Sequence, residues 1–321
     1  MAEFELYKRY RQTSNGLEQY NRYIVNPDKT LSLVNKYKVV SEIFESIRFT
    51  VEPYVASTSG TVKFELSSRL NVIIDWGDGT SQNVSGNSSS YSHVYTNSSQ
   101  GLIYNITITP TTIYSSSSNG RLAFDAKSGL RYFYSIGKGF RLFSLSFNGS
   151  TISGIDDEAF KDGESITTLG SLFYNCSQLL AVPETLLKTC INVTYMLRAF
   201  AGTGITAIPE TLLYSCTKLT NAMYLFQNTN ITSIPTNLFI NNPLIETFYF
   251  AFSNCLITSI PSTLFDSCQN VKTFTSTFRN CKSITSAVPT LWDRTNVEDS
   301  TGCFYGCTKA TNYSSIPSEW R

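Results

Sequence analysis

The residues of this sequence best suited to chemistry are its eight cysteines, and three of them, Cys255, Cys268 and Cys281, are spaced at intervals of 13. A thiolate can ligate zinc, form a disulfide or act as a nucleophile. Zinc sites commonly combine a Cys-x-x-Cys pair with histidines, but the sequence has no such pair and only one histidine, His93. The spacing therefore needs another explanation, which must come from the elements that position the cysteines.

Those elements repeat with a period of 26 to 28 residues. An Ile-Pro or Val-Pro dipeptide ends at Pro183, Pro209, Pro235, Pro261, Pro289 and Pro317, and a phenylalanine recurs at Phe173, Phe200, Phe226, Phe252, Phe278 and Phe304. Proline ends a strand because it has no N–H to donate, and a single coil cannot bury its apolar face without neighbours. The period predicts a solenoid of about seven coils, with short strands and turns or short helices, over residues 151–321.

The cysteines fall into two columns of this repeat. One column holds Cys176, Thr203, Thr229, Cys255, Cys281 and Cys307, and the other holds Gly163, Cys190, Cys216, Asn242, Cys268 and Asn296. A metal ligand cannot be exchanged for Thr or Gly, nor half of a disulfide for Asn. Cys, Thr and Asn do share small size and some capacity to hydrogen-bond in a tight turn. We therefore predict a structural role for these cysteines, and Cys303 lies outside both columns.

The repeat pattern "F-x-x-C-x-x-[IL]-T-x-[IV]-P-x-x-L-[FL]-x-x-C-x-x-[VL]" resembles the BspA-like leucine-rich repeat family of cell-surface and phage-borne proteins. The residues that carry the resemblance include Phe252, Cys255, Ile260, Pro261, Leu264, Phe265 and Cys268. The resemblance covers about residues 150 to 317. It implies an extended recognition scaffold, in a family without a shared catalytic activity.

Residues 47–118 contain alternating β-like runs, "IRFTV", "TVKFEL", "NVIIDW", "SYSHVY" and "LIYNITIT", separated by turn residues. With "DWGDGT" and "SHVY", this part resembles the polycystic-kidney-disease-type (PKD) Ig-like domain, which implies a β-sandwich. Asp75 and Asp78 could hold Ca²⁺, but we favour a role in stabilising the turn, and a structural role for His93. Residues 119–150 are interpreted as a linking or capping segment.

Residues 1–46 match neither pattern and interleave tyrosines with basic side chains. We predict an arm for docking or oligomerisation, anchored by Tyr7, Tyr10, Arg11, Tyr20 and Tyr23, because Tyr and Arg are favoured at protein interfaces. An ordinary small domain and a single-stranded nucleic-acid site are the alternatives. The glutamates nearby and the net charge of +1 argue against nucleic acid and against a membrane-surface partner.

Catalytic motifs are missing from the sequence: there is no nucleophile elbow, phosphate loop or dinucleotide fingerprint. The acidic run Asp156, Asp157 and Glu158 is better explained as a solvated turn than as a glycosidase pair. We therefore predict no enzyme activity, no cofactor and no metal. Binding is expected instead at Arg198, Tyr224, Tyr249 and Phe250, which vary between repeats and could stack on sugars or anchor a protein, unless some of them face the core.

Two functional classes fit this organisation. The first is a structural virion protein of a tailed bacteriophage, a head-fibre, capsid-decoration or tail-fibre subunit. It would be assembled in the host cytoplasm, and family analogy makes it a homo-oligomer. Its arm would contact other virion proteins, and its solenoid a host-surface glycan or protein. The second is a bacterial surface adhesin or lipoprotein whose leader was trimmed. The sequence begins without an apolar leader and has no stretch long enough to span a bilayer, so we expect the virion protein and no membrane insertion.

Overall fold

The computed structural model describes residues 6–13, 16–25, 31–35, 46–53, 60–67, 71–84, 90–97, 99–111, 120–125, 128–137 and 140–321, the first three ranges by their backbone only. The chain divides into two compact units, Met1–Glu45 and Ser46–Arg321. The fold is mainly β, as the sequence predicted, and the helical segments described in it include short 3₁₀ turns.

The first unit contains a three-stranded antiparallel sheet. Its strands are β1 (Leu6–Thr13), β2 (Gly16–Val25) and β3 (Leu31–Asn35), with β2 in the centre. The register pairs Tyr7 with Tyr23 and Arg11 with Glu18. The predicted arm therefore has β structure of its own, which the sequence analysis did not anticipate.

The second unit begins with two mixed sheets. Their strands are β4 (Ile47–Val51), β5 (Thr61–Ser67), β6 (Val72–Asp75), β7 (Ser81–Val84), β8 (Ser90–Val94), β9 (Tyr104–Pro110), β10 (Gly120–Ala123), β11 (Leu130–Ser135), β12 (Leu142–Ser146) and β13 (Gly154–Ile155). One sheet has the order β12-β10-β5-β8 and the other β13-β11-β4-β9-β6-β7. In each sheet the first pair of this order is parallel, β12 with β10 and β13 with β11, and the other pairs are antiparallel.

The inner faces of the two sheets share an aromatic core. Along β5 the side chains alternate, so that Val62, Phe64 and Leu66 are buried while the polar residues between them face solvent. Phe64 meets Phe49 of β4, in the other sheet, edge-to-face with ring centroids 5.4 Å apart. Burying such a side chain contributes about 1.5–3 kcal/mol, so these contacts hold the sheets together.

The five runs predicted as strands coincide with β4, β5, β6, β8 and β9. The hairpin partner β7 was not predicted, because its sequence "SQNV" is polar and three of its four residues are exposed. Residues 119–150, interpreted as a link or cap, contain three strands. β10 and β12 belong to the four-stranded sheet, and β11 belongs to the six-stranded sheet.

The 26-residue period reappears in residues 151–321, which we call the coil stack. Single-residue parallel bridges join successive coils: Ser144 to Thr168, Thr168 to Tyr195, Tyr195 to Asn221, Asn221 to Thr247, Thr247 to Thr273, and Thr273 to Asp299. The N–H of Phe173 donates to the carbonyl of Ala199 (2.7 Å), and later coils repeat this bond. Since Ser144 belongs to β12, the coil stack continues directly from the edge of the four-stranded sheet.

The recurring phenylalanines form a ladder through the core of the coil stack. Phe147, Phe173, Phe200, Phe226, Phe252, Phe278 and Phe304 follow one another with ring centroids 5.2–5.7 Å apart. All are fully buried. At the end, Trp320 stacks 6.4 Å from Phe304, and the Phe304 N–H donates to the Trp320 carbonyl. The terminal 3₁₀ turn Ser318–Trp320 thus covers the last coil.

All eight cysteines are buried free thiols in these coils. Thiols that donate to a backbone carbonyl of the preceding coil include those of Cys176, Cys255, Cys268, Cys281 and Cys307. In the first column the Cys281 thiol donates to the carbonyl of Phe252 in the preceding coil (3.0 Å). At the position where other coils have cysteine, the Thr229 hydroxyl donates to the carbonyl of Phe226 (2.8 Å). Cys and Thr interchange there because each is a small donor to a phenylalanine carbonyl, the thiol to that of the preceding coil and the hydroxyl to that of its own coil.

The predicted end of the second column at Asn296 is wrong. Asn242 donates its amide to the carbonyls of Leu213 and Cys216, and in the last coil Arg294 makes the equivalent pair of bonds to Phe265 and Cys268. Asn296 is exposed and bonds the carbonyl of Gln269 instead. The extra two residues before Pro289 are compensated by a shorter segment after it, which contains the 3₁₀ turn Leu291–Asp293, so the register returns to 26.

The structure also accounts for Cys303. It is fully buried immediately before Phe304 of the ladder, where other coils have Ala199, Leu225, Ala251 and Thr277. Cys303 is a core residue.

Candidate functional site

Each coil bends twice through a residue with positive φ. One column of such residues, which we call the left-handed column, holds Ser171, Arg198, Tyr224, Phe250, Ser276 and Gly302; a second holds Asn175, Gly202, Asn228, Asn254, Asn280 and Gly306. Glycine adopts this conformation freely and Asn tolerates it, whereas in other residues Cβ approaches a carbonyl oxygen at a cost of about 1–2 kcal/mol. The second column contains only Asn and Gly, but the left-handed column contains three bulky side chains.

Short polar side chains upstream hold this bend in place. Thr247 Oγ1 accepts the N–H of Tyr249 (3.2 Å), Asn221 Oδ1 that of Met223 (3.1 Å), and Asp299 Oδ1 that of Thr301 (3.0 Å). These are the side-chain-to-backbone turns that Thr, Asn and Asp favour. Together with the bonds between coils, they fix the backbone where the bulky residues lie.

The side chains of the left-handed column stack on one another at the surface. The guanidinium carbon of Arg198 lies 4.6 Å from the ring centroid of Tyr224 and 5.7 Å from that of Tyr174. Tyr224 stacks on Phe250 at 5.4 Å with 19° between the ring planes, and Tyr249 meets both rings edge-on. All five side chains are half-buried. Each such contact is worth about 0.5–1.5 kcal/mol, comparable to the backbone strain at the same residues.

Burial and a hydrogen bond with Tyr249 raise the pKa of Tyr224 above its ordinary value, although Arg198 acts in the opposite direction. The phenol is therefore neutral at physiological pH. The charge of this group of side chains comes from the Arg198 guanidinium, which lies between two aromatic rings.

The stack ends at Phe250, since the next two positions of the left-handed column are Ser276 and Gly302. Both are buried, and Arg279 lies against Gly302: a Cβ on Gly302 would lie 3.5 Å from Arg279 Nη1 and 3.8 Å from Ser276 Oγ. The Arg279 guanidinium itself stacks on Tyr305 at 4.3 Å. Beyond Phe250 the left-handed column therefore consists of small buried residues next to the Arg279–Tyr305 pair.

The structure brings together the four solenoid residues selected from the sequence, Arg198, Tyr224, Tyr249 and Phe250. None of them lies in the buried core. Tyr174 was missed, although it lies three residues after the left-handed column, at the position that Arg279 and Tyr305 occupy in the last two coils. That offset could have been found in the sequence.

The predicted anchoring residues lie in the first unit. Tyr7, Tyr10 and Arg11 are on β1, and Tyr20 and Tyr23 are on β2. Tyr7 and Tyr23 are register partners. Their side chains lie outside the described part of the structure.

In the turn "DWGDGT", Asp75 and Asp78 bond their own backbone, as the favoured interpretation predicted. Asp75 Oδ1 accepts the N–H of Gly77 (2.9 Å), and Asp78 Oδ1 accepts the N–H of Thr80 (3.0 Å). The other oxygen of Asp78 lies 2.7 Å from His93 Nε2. Burial opposes ionisation of Asp78, but the bonds from Thr80 and His93 outweigh it and lower its pKa from 3.8 to about 2.

His93 is held between aromatic rings. It stacks on Trp76 at 4.8 Å and meets Tyr95 edge-on at 4.6 Å, while the Tyr95 hydroxyl donates to the Trp76 carbonyl (2.7 Å). The histidine therefore joins the turn to β8.

The acidic run near residue 156 also forms a turn, in which Asp156 Oδ1 accepts the N–H of Glu158 (3.0 Å). Among the described residues no group of three or more His, Cys, Asp or Glu side chains could hold a metal ion. Over the same residues, no helix has the length and apolar character needed to cross a bilayer.

Comparison with known proteins adds no assignment, since no protein-family model and no curated protein matches the chain.

Proposed function

We propose that this chain is a non-enzymatic structural virion protein of a tailed bacteriophage, such as a head-fibre, capsid-decoration or tail-fibre subunit. The first unit would dock on other virion proteins and form homo-oligomers. The two sheets of the second unit would act as a PKD-type Ig-like spacer. The coil stack, as a BspA-like leucine-rich repeat solenoid, would attach to a glycan or protein of the host surface.

The observation that carries the proposal is the state of the cysteines. All eight are free, and each is buried in the coil stack. Burial raises the pKa of Cys176 and Cys255 to about 11, and that of Cys216, Cys268 and Cys307 to about 12. Free thiols in such number suit a chain that folds in a reducing cytosol, where phage proteins are made, better than one exported to an oxidising surface.

The arrangement of the second unit supports a display function. Its sheets and coils share one continuous hydrophobic core, and the bridge from Ser144 to Thr168 joins them directly. Within the coil stack, bulky side chains occupy strained positions at the surface, where glycine or asparagine would avoid the strain. Retained strain of this kind is typical of binding surfaces and other functional sites.

Mass spectrometry of purified phage particles and of bacterial cell-envelope fractions tests the proposal. We expect peptides from both units in virions, at a fixed ratio to the major capsid protein. The matched control is the same search in lysates depleted of particles. Recovery from cell envelopes of a longer, processed precursor, without recovery from virions, would overturn the proposal in favour of the surface adhesin.

A further inference from the structure

We propose that the coil stack associates with a second copy of this chain through a self-complementary patch on its surface. The centre of the patch is a row of four side chains from successive coils, which we call the dimer column: Lys188, Tyr214, Ile240 and Asp266. The columns of the two copies would face each other and run in opposite directions, related by a two-fold axis between the coils of Tyr214 and Ile240. The proposed function leaves this surface unassigned, and the inference does not rest on that function.

The members of the dimer column occupy one position of the repeat. Each lies two residues before a member of the second cysteine column, and consecutive members are 26 residues apart. In each of these coils the N–H at this position donates to the carbonyl three residues earlier, as from Tyr214 to Thr211 (3.0 Å) and from Ile240 to Asn237 (3.1 Å). The same turn therefore presents the four side chains in a row, and neighbours are spaced roughly 4.7–4.9 Å apart, as in paired strands.

The centre of the patch is apolar and open to solvent. Tyr214 is 58% exposed and Ile240 is 49% exposed, and Leu244, in the same coil as Ile240, is 44% exposed. The backbone beneath them is held by bonds between coils, from the Asn241 amide to the Tyr214 carbonyl (3.2 Å) and from the Asn270 amide to the Pro243 carbonyl (3.1 Å). Large apolar side chains that are exposed on adjacent coils, with tyrosine among them, are typical of a protein interface.

The two ends of the dimer column carry opposite charges, and this identifies the partner. Lys188 and Asp266 are both exposed, and neither belongs to an ion pair among the described residues. They are three coils apart, about 14 Å, so they cannot pair within one chain. When a second copy faces the column in the reverse direction, Lys188 of each copy lies opposite Asp266 of the other, and Tyr214 lies opposite Ile240. A two-fold interface requires this kind of reciprocal contact.

The neighbouring column is compatible with the same orientation. It lies four residues further along each coil and consists of Asn192, Lys218, Leu244 and Asn270. The reversed copy places Lys218 opposite Leu244, so that the lysine methylenes can cover the exposed leucine. In these two columns no like charges face each other. A two-fold axis along the column would instead place Lys188 opposite Lys188 and Asp266 opposite Asp266, which like-charge repulsion disfavours.

The test is sedimentation velocity of the full chain over a range of protein concentrations, with two charge-reversal variants, Lys188→Asp and Asp266→Lys. Each variant alone puts like charges at both ends of the facing columns, and its self-association should be weaker than that of the wild type by about tenfold or more. An equimolar mixture of the two variants should associate like the wild type, because the mixed pair again has opposite charges at both ends.

Three further variants complete the design. Ile240→Ser removes part of the apolar centre and should also weaken self-association about tenfold. Lys282→Asp, at an exposed position next to the first cysteine column and outside the patch, is the matched control and should associate like the wild type. A chain that carries both Lys188→Asp and Asp266→Lys should associate with itself, which shows that the folded chain accepts each substitution. Any association through the first unit is common to all samples and cannot produce this pattern.

A mixture that associates no better than the separate variants would overturn the inference. So would equal weakening by Lys282→Asp, or a wild-type chain whose association state none of these substitutions changes. Loss of virion incorporation in Ile240→Ser, with self-association unchanged, would assign the patch to another virion protein and would overturn the inference as well.

Discussion

Replacing Tyr224 by glycine and by alanine tests whether the left-handed column stores backbone strain. Tyr224 has a φ of 55°, where a Cβ costs about 1–2 kcal/mol. Alanine keeps that Cβ and glycine removes it. We therefore expect the Tyr224→Gly variant to be more stable than Tyr224→Ala, the reverse of the order at an ordinary position.

The magnitude follows from the contacts that the two variants share. Both lose the ring contacts with Phe250, Tyr249 and Arg198, so this loss cancels in the comparison. Glycine gains about 1–2 kcal/mol from the removed strain and loses about 0.5–1 kcal/mol to the larger entropy of its unfolded chain. The free energy of unfolding of the glycine variant should thus be higher by about 0.5–1 kcal/mol.

Gln227 provides the control in the same turn, because it is half-buried and its φ is not positive. There we expect Gln227→Ala to be more stable than Gln227→Gly by about 0.4–1 kcal/mol. The assay is urea unfolding of the four variants. Their free energies of unfolding are compared with a common m-value, the slope of that free energy against urea concentration. If alanine is the more stable substitution at both positions by a similar margin, the column is not strained and the reasoning fails.

Four further predictions concern the cysteines and the turn at β6. A thiol-specific reagent should label none of the eight cysteines in the native protein and all eight after unfolding, and rapid labelling of the native chain would contradict their burial. Cys281→Thr should stay within about 1 kcal/mol of the wild type in urea unfolding, because the Thr203 and Thr229 hydroxyls at this position donate to the phenylalanine carbonyl three residues before them; Cys281→Val supplies no donor to either phenylalanine carbonyl and should cost about 1–3 kcal/mol. Asp78→Asn should lose about 2 kcal/mol near pH 7; because folding lowers the pKa from 3.8 to about 2, the difference should fade as the pH falls through that interval, and a constant difference from pH 7 to pH 2 would refute it. Gly77→Ala should destabilise by more than about 2 kcal/mol, since its Cβ would meet a backbone carbonyl of β9, while Gly79→Ala, with open space around it, should cost less; equal losses in thermal unfolding would exclude this steric explanation.

The repeat could be read from the sequence because contacts within the coil stack are nearly one-dimensional. A residue meets its equivalent about 26 positions away, so the spacing of Phe226, Phe252 and Phe278 reappears as a ladder of stacked rings. The same logic correctly predicted that Cys281 and its equivalents are structural. It failed at Asn296, because a local insertion and its compensation shift the register in a way that counting from prolines does not show.

The strand order of the two sheets was harder to predict from the sequence, because the paired strands are far apart along the chain. The strand β10 pairs with β5 and β12, and β11 pairs with β4 and β13, so a segment that resembled a link is shared by two sheets. The polar β7 had no apolar alternation to reveal it. Alternation predicts that a strand exists, but its partners depend on which faces must be buried together.

By itself, the sequence determined the mainly β character of the protein, the period of its second half, the structural role of its cysteines and the group of surface residues that includes Tyr224 and Phe250. The tertiary structure alone decided that those residues are stacked in a strained, left-handed conformation and that the stack ends beside Ser276 with Arg279 at its border. The physical reason is that periodic burial is written into the order of residue types, whereas backbone φ at a surface turn is set by hydrogen bonds between neighbouring coils.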